Sequence, residues 1–143
     1  MHPVLFTSAR FSLCLLWLTT AYASVFGNYN FGVSVLANGG ITGGFADLSI
    51  YCGAAIDTFI GIWLLTGWKL KECLIVQAIV IITYTGLLTV INSTFWNHPF
   101  GPLTKNIPII VLIAILFEQS KRNAKHKKAP LLNVQTEGQA HSD

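Results

Sequence analysis

The sequence predicts an all-α fold, a bundle of four transmembrane helices with both termini in the cytoplasm. Of its 143 residues, 52% are hydrophobic and only 10% are charged, whereas a typical soluble domain carries about 25% charged residues. A soluble fold of this size has too little interior to bury so much apolar surface. In a bilayer the same side chains face lipid, and four apolar stretches approach the length of about 20 residues that a membrane-crossing helix needs.

The four predicted spans cover residues 8–26, 46–67, 72–92 and 102–117. Within each span a helix satisfies its own backbone hydrogen bonds, as the hydrocarbon core demands. Trp68 ends the second span and Trp96 follows the third, and tryptophan is typical of the membrane–water interface. Together the spans make one membrane domain, residues 1–118.

The basic residues predict the orientation of this bundle. With four spans, the N-terminus, the second-to-third connection and the C-terminal tail share one side of the membrane. That side carries eight of the nine basic residues: Arg10, Lys69, Lys71, Lys121, Arg122, Lys125, Lys127 and Lys128. The other side carries only Lys105, so the positive-inside rule places both termini in the cytoplasm.

The N-terminal segment leaves an alternative open. Arg10, a short apolar run and the triplet Ala21-Tyr22-Ala23 resemble a signal peptide and its cleavage site. Cleavage would leave three spans and still a cytoplasmic tail. We expect the segment to be retained, because no clearly polar mature N-terminus follows it.

The remaining connections and the tail are polar. The Gly- and Asn-rich segment 27–45 lies outside, with apolar residues suited to a short interfacial or re-entrant piece. Residues 119–143 are predicted to be a disordered basic tail. Its basic run enforces topology, with binding to anionic lipid head groups as the alternative. Five of the nine basic residues lie between Lys121 and Lys128, so the net charge of +3 belongs to the tail and not to a nucleic-acid-binding face. The expected partner is the lipid bilayer.

The three cysteines, Cys14, Cys52 and Cys73, are widely spaced and form no CxxC pair. This spacing argues against a disulfide framework, a zinc site and a dithiol redox centre. No nucleophile–base pair or metal cluster appears at workable spacing. We therefore predict neither catalytic residues nor metal ligands, and no cofactor belonging to the chain itself.

Asp57 lies near the middle of the second span, where an unpaired carboxylate is costly and often functional. Ser49, Gly53, Asp57 and Gly61 repeat every four residues and so form one stripe on the helix. Small residues mark close helix packing in membranes, which predicts that Asp57 faces the bundle interior. It is either a ligand or proton-relay group, or a polar clasp to a neighbouring helix.

Other candidate ligand or proton-relay groups lie further along the chain. Gln77 and Tyr84 are seven residues apart on one face of the third span, with ordinary interhelical hydrogen bonding as the alternative. His98 lies in the following loop and would move protons or contact a ligand carbonyl, or else cap the loop or be solvated. Lys105 would snorkel outward or turn in toward Asp57.

The run His98-Pro-Phe-Gly-Pro-Leu-Thr-Lys-Asn-Ile-Pro108, leading into an apolar helix, resembles the DoxX-like family of small four-helix membrane proteins. Residues 10–17 and 53–65 are similar to that family's first and second helices. The resemblance extends over roughly residues 8–118 and excludes the tail.

The resemblance implies a role beside membrane redox complexes. We expect a non-catalytic membrane subunit that docks a membrane or soluble redox partner or contributes a quinone site. The bacterial inner membrane is the expected location. The chain has no GxGxxG, no CxxC and no membrane-buried pair of histidines, so any electrons would come from another protein.

Two other hypotheses stay open. A small proton-coupled permease would use Asp57 as its protonatable group and would need a homodimer, although no internal repeat is evident. A membrane assembly or structural protein would hold no small ligand. Its stripe of small residues would then only pack helices.

Overall fold

The computed structural model describes residues 2–91, 96 and 103–140, with side chains described as far as residue 124, and contains helices but no strand among these residues. The described helices are α1 (Pro3–Tyr22), α2 (Tyr29–Asn38), α3 (Gly44–Thr66), α4 (Leu70–Ile91) and α5 (Asn106–Ala140). A π-helical turn, Ala23–Gly27, joins α1 to α2. The all-α prediction is therefore confirmed for the described part of the chain.

Three helical segments are long and apolar enough to cross a membrane: Pro3–Gly27, Gly44–Thr66 and Leu70–Ile91. They coincide, apart from a few terminal residues, with the first three predicted spans. The fourth predicted span forms the start of α5. Its apolar run ends at Phe117, before Glu118 and the basic residues, and falls short of the about 20 residues that a full crossing needs. The fourth crossing therefore stays a prediction.

α1 packs most closely against α3, and α4 against α5. Gly61 of α3 permits the first of these contacts, because a Cβ atom there would lie 2.7 Å from Cδ2 of Leu18. The core joins α1, α3, α4 and α5 through the buried side chains Leu13, Trp17, Ile60, Leu64, Leu74, Ile81, Ile113 and Leu116. Dispersion and the absence of voids, not water exclusion, hold such helices together in lipid.

The segment 27–45 contains α2, at the position expected for a short interfacial or re-entrant piece. Two contacts tie α2 to the bundle at the end opposite the α3–α4 turn. The Tyr29 hydroxyl donates a hydrogen bond to Oδ1 of Asp47 at the start of α3. Gly39 lies against Ile91, with 2.8 Å between its virtual Cβ and Cγ1 of Ile91. α2 thus lies across the ends of α3 and α4.

α5 continues to Ala140, through the segment that the sequence suggests is disordered. Its basic run is rich in residues of high helix propensity. Local side-chain pairs also support this stretch: Nζ of Lys121 is 3.4 Å from Glu118, and Nε2 of Gln119 donates to Oδ1 of Asn123 at 3.2 Å. A domain boundary at residue 118 is therefore not marked by the end of a helix, and it stays a prediction.

Candidate functional site

A cavity of about 630 Å³ lies where the end of α1, the π-helical turn and α2 meet α3 and α4. Most of its wall is apolar, with Phe31 and Val35 from α2, Ile50 from α3 and Leu88 from α4. Small-molecule sites in proteins typically have about 300–1,000 Å³ and a few polar groups on an apolar wall. The cavity meets this description in both volume and lining.

Asp57 brings a carboxyl group to this cavity from the middle of α3. The residue is only 3% exposed. Its Oδ1 atom is buried and has no hydrogen-bond partner within the described part of the chain. Asp57 therefore lies on an interior face of the bundle, and within the described residues its carboxyl group forms no hydrogen bond to a neighbouring helix.

Tyr84 brings a second polar group to the cavity from α4. Its hydroxyl is also buried without a hydrogen-bond partner among the described residues. Gly53 makes room for it, because a Cβ atom on Gly53 would lie 3.2 Å from the Tyr84 hydroxyl. Buried polar groups nearly always have a partner, so two such groups at one cavity point to a ligand as the missing partner.

The other hydroxyl groups of the cavity wall have already used their proton within their own helices. Each donates to a backbone carbonyl one turn earlier: Thr19 to Leu15 at 2.7 Å, Thr20 to Leu16 at 2.8 Å, Ser24 to Thr20 at 2.9 Å and Ser49 to Phe45 at 2.7 Å. A hydroxyl has only one proton to donate. Asp57 and Tyr84 are therefore the groups best placed to hydrogen-bond a molecule in the cavity.

The residues of the stripe predicted on α3 do not all face the same surface. Ser49, Gly53 and Asp57 line the cavity, whereas Gly61 packs against Leu18 of α1. A spacing of four residues exceeds one helical turn, so each step moves the stripe by about 40° around the helix. This drift carries the last member of the stripe from the cavity to the α1 contact.

The structure does not bring Gln77 or Lys105 to the cavity. Gln77 is fully buried in the core, where its Oε1 accepts a hydrogen bond of 2.9 Å from Nε1 of Trp17 and its Nε2 lies 3.3 Å from the Cys73 carbonyl. Lys105 is exposed in the turn before α5 and is absent from the cavity lining. His98 lies outside the described residues.

Two elements of the site were not expected from the sequence. α1, the π-helical turn and α2 together supply about half of the cavity wall. Tyr29, which does not line the cavity, binds α2 to Asp47 through a hydrogen bond. This hydrogen bond, with lesser effects of desolvation and of the carboxylate charge, raises the pKa of Tyr29 to about 12. The sequence carried a weak signal for this wall, because Thr19 and Thr20 near the end of α1 are followed by Ser24 one turn later, in the π-helical turn.

Among the described residues, no group of three or more His, Cys, Asp or Glu side chains comes close enough together to hold a metal ion. The three cysteines are free, with Cys14 and Cys73 buried and Cys52 exposed.

The sequence profile of the DoxX-like family matches residues 14–114, which cover the whole cavity. No curated protein and no solved structure matches the chain. Taken with the three long apolar helices, the family match identifies a multi-pass membrane protein.

Proposed function

The chain belongs to the DoxX-like family, and from this premise we propose that it is a non-catalytic membrane subunit that holds a quinone beside a redox partner. The observation that carries the proposal is the pair of unpartnered buried groups, Oδ1 of Asp57 and the Tyr84 hydroxyl, at one apolar cavity. Both lie at the depth of membrane-spanning helices, where a lipid-soluble ligand is available from the bilayer.

Quinone chemistry suits this pair of groups. A quinone presents carbonyl oxygens, which accept hydrogen bonds, on a flat apolar ring. The Tyr84 hydroxyl would donate to one carbonyl, and Asp57 would donate as a neutral carboxylic acid. Neither group has a cationic partner among the described residues, and an uncompensated carboxylate is unfavourable at membrane depth.

The redox partner would supply and remove the electrons. The sequence contains no CxxC and no GxGxxG motif, so a dithiol or a Rossmann-type nucleotide site would have to belong to that partner. The subunit would then position the quinone ring and limit its contact with water.

The proposal includes four crossings with both termini in the cytoplasm. Support comes from the basic residues and from the packing of α5 along α4, which buries Ile113 and Leu116 in the shared core. We also propose that the first helix is retained and not cleaved as a signal peptide. Removal of the chain up to Ala23 would take away Trp17 and leave Gln77 in the core without its partner.

The direct test is to purify the protein in a mild detergent, extract it with organic solvent and measure quinone per protein. We expect near-stoichiometric quinone in the wild type and a loss in Asp57→Leu and in Tyr84→Phe. Ser49→Ala is the matched control, because Ser49 lines the same cavity but its hydroxyl is bound to the Phe45 carbonyl.

Retained quinone in Asp57→Leu and Tyr84→Phe would overturn the assignment of the site. Absence of quinone from a well-folded wild-type sample would overturn the quinone itself. An equal loss in Ser49→Ala would show that the loss reflects a general disturbance of the bundle and not the two proposed contacts.

A proton-coupled permease is the second candidate, and the buried, unpaired Asp57 favours it. In that case proteoliposomes would take up protons, and Asp57→Asn would abolish the uptake because an amide cannot titrate. Quinone binding without proton uptake would decide against the permease.

A further inference from the structure

Arg10 of α1 lies directly against the turn between α3 and α4. A Cβ atom on Gly67 would be only 2.8 Å from Nη1 of Arg10. Gly67 ends α3 in the left-handed conformation, with φ of 67°, which favours glycine on its own account. The missing side chain therefore lets the guanidinium group rest on the backbone of the turn.

The guanidinium donors of Arg10 have no acceptor among the described residues. Arg10 is half-buried, and within the described residues no hydrogen bond or ion pair involves its side chain. The ion pair that the described residues do form joins Lys121 to Glu118 on α5. An arginine carries five N–H donors in a planar fork, and donors withdrawn from water need an acceptor from elsewhere.

Two ammonium groups belong to the same turn. Lys69 adopts a left-handed conformation with φ of 44°, and its Nζ lies 5.0 Å from the centre of the Trp68 ring. Lys71 follows in the first turn of α4. A hydrogen bond of 2.7 Å from Nε1 of Trp63 to the Trp68 carbonyl supports this turn. Lys69 and Lys71 follow Gly67, on whose backbone Arg10 rests, by two and four residues.

The position of the turn indicates the source of the acceptor. It joins the ends of two helices of membrane-spanning length, which places it at the level of the lipid head groups. Trp68 is 66% exposed there, as is typical of an interfacial tryptophan. The acceptor available in quantity at this level is a phosphate, and the planar fork of arginine matches its oxygens.

We propose that Arg10, Lys69 and Lys71 form a binding site for the phosphate of an anionic phospholipid. The site is independent of the cavity at Asp57, which lies further along the bundle, and of the basic run in α5. The positive-inside rule requires only that the charges be on this side. It does not require that a guanidinium group pack on a left-handed glycine, nor that its donors lack an acceptor among the described residues.

The test is native mass spectrometry of the detergent-purified protein with added phosphatidylglycerol or phosphatidylcholine. We expect the wild type to prefer phosphatidylglycerol, and Arg10→Gln to weaken its binding by about tenfold, the effect of one lost charge-assisted pair. Arg122→Gln is the matched control, because it removes the same charge from an exposed arginine on α5 and should keep the preference.

Equal binding of the two lipids by the wild type would overturn the site, as would an equal loss in Arg122→Gln. Displacement of phosphatidylglycerol by inorganic phosphate alone would show an anion site that does not recognise lipid. If Arg10→Gln fails to fold by circular dichroism, the double variant Lys69→Gln/Lys71→Gln replaces it. Full preference in that variant would likewise contradict the proposal.

Discussion

Nε1 of Trp17 donates a hydrogen bond of 2.9 Å to Oε1 of Gln77, across 60 residues of sequence. The two side chains are 4% and 0% exposed and link α1 to α4 inside the core. No water reaches a hydrocarbon-embedded core to replace a lost partner. The bond therefore links, across the shared core, two helices whose backbones are not direct packing neighbours.

The Trp17–Gln77 bond predicts measurable energetic coupling between the two residues. A double-mutant cycle with Trp17→Phe and Gln77→Leu should give a coupling free energy of about 0.6–1.7 kcal/mol, the range found for hydrogen bonds between membrane helices. The measurement is the free energy of unfolding of the four proteins in detergent. Additive effects of the two substitutions would show that the bond contributes nothing to stability.

This bond also shows where prediction from sequence ends. The apolar runs gave the three long helices, since helix formation in lipid is dictated locally by backbone hydrogen bonding. The partner of Gln77 was not predictable, because any polar residue on a neighbouring span satisfies an amide. The choice of Trp17 depends on how the packing of α1 against α3 and α5 directs its side chain toward Gln77.

The candidate site, too, was predictable only in part. The stripe around Asp57 predicted an interior face, because small residues and a carboxyl group both disfavour lipid on that side, and Asp57 is 3% exposed. The participation of α1 and α2 in the cavity follows from how α2 lies across α3 and α4, which one helix's periodicity does not encode. Lys105, expected either to extend outward or to turn in toward Asp57, is exposed in a turn.

The contact between Gly61 and Leu18 predicts that a side chain at position 61 separates α1 from α3. Gly61→Leu should destabilise the fold by about 1–3 kcal/mol, as overpacking does, because even a Cβ atom would lie 2.7 Å from Leu18. The same substitution at Gly86 is the control, since nothing lies within 4 Å of a Cβ there. Thermal unfolding in detergent measures both, and an equal loss at the two positions would refute the packing argument.

The Tyr29–Asp47 hydrogen bond predicts that Tyr29→Phe loosens α2. We expect faster hydrogen exchange in Tyr29–Asn38 and no change in the central part of α3. Tyr22→Phe is the control, because Tyr22 is exposed and stacks only on Phe26. Unchanged exchange in α2 of Tyr29→Phe would show that the hydrogen bond to Asp47 does not hold this helix.

The same hydrogen bond predicts a pH dependence. The pKa of Tyr29 is raised to about 12, above the value of about 10 for a free tyrosine. A group whose pKa is raised on folding contributes fully below its unfolded pKa and loses its contribution as the pH rises through the folded value. Absorbance of tyrosinate in the wild type minus Tyr29→Phe should therefore rise near pH 12, and a step near pH 10 would contradict the bond.

The proposed topology predicts opposite exposure of the two ends of α5. Lys105 precedes this helix and Lys121 follows its apolar run. In a variant without Cys14, Cys52 and Cys73, a membrane-impermeant maleimide should label Lys105→Cys in intact cells but Lys121→Cys only after permeabilisation. Labelling of both in intact cells, or of neither, would mean that α5 does not cross and that three helices span the membrane.

The intact mass of the purified protein tests whether the first span is retained. Retention gives the full 15.7 kDa chain, whereas cleavage after Ala23 removes α1.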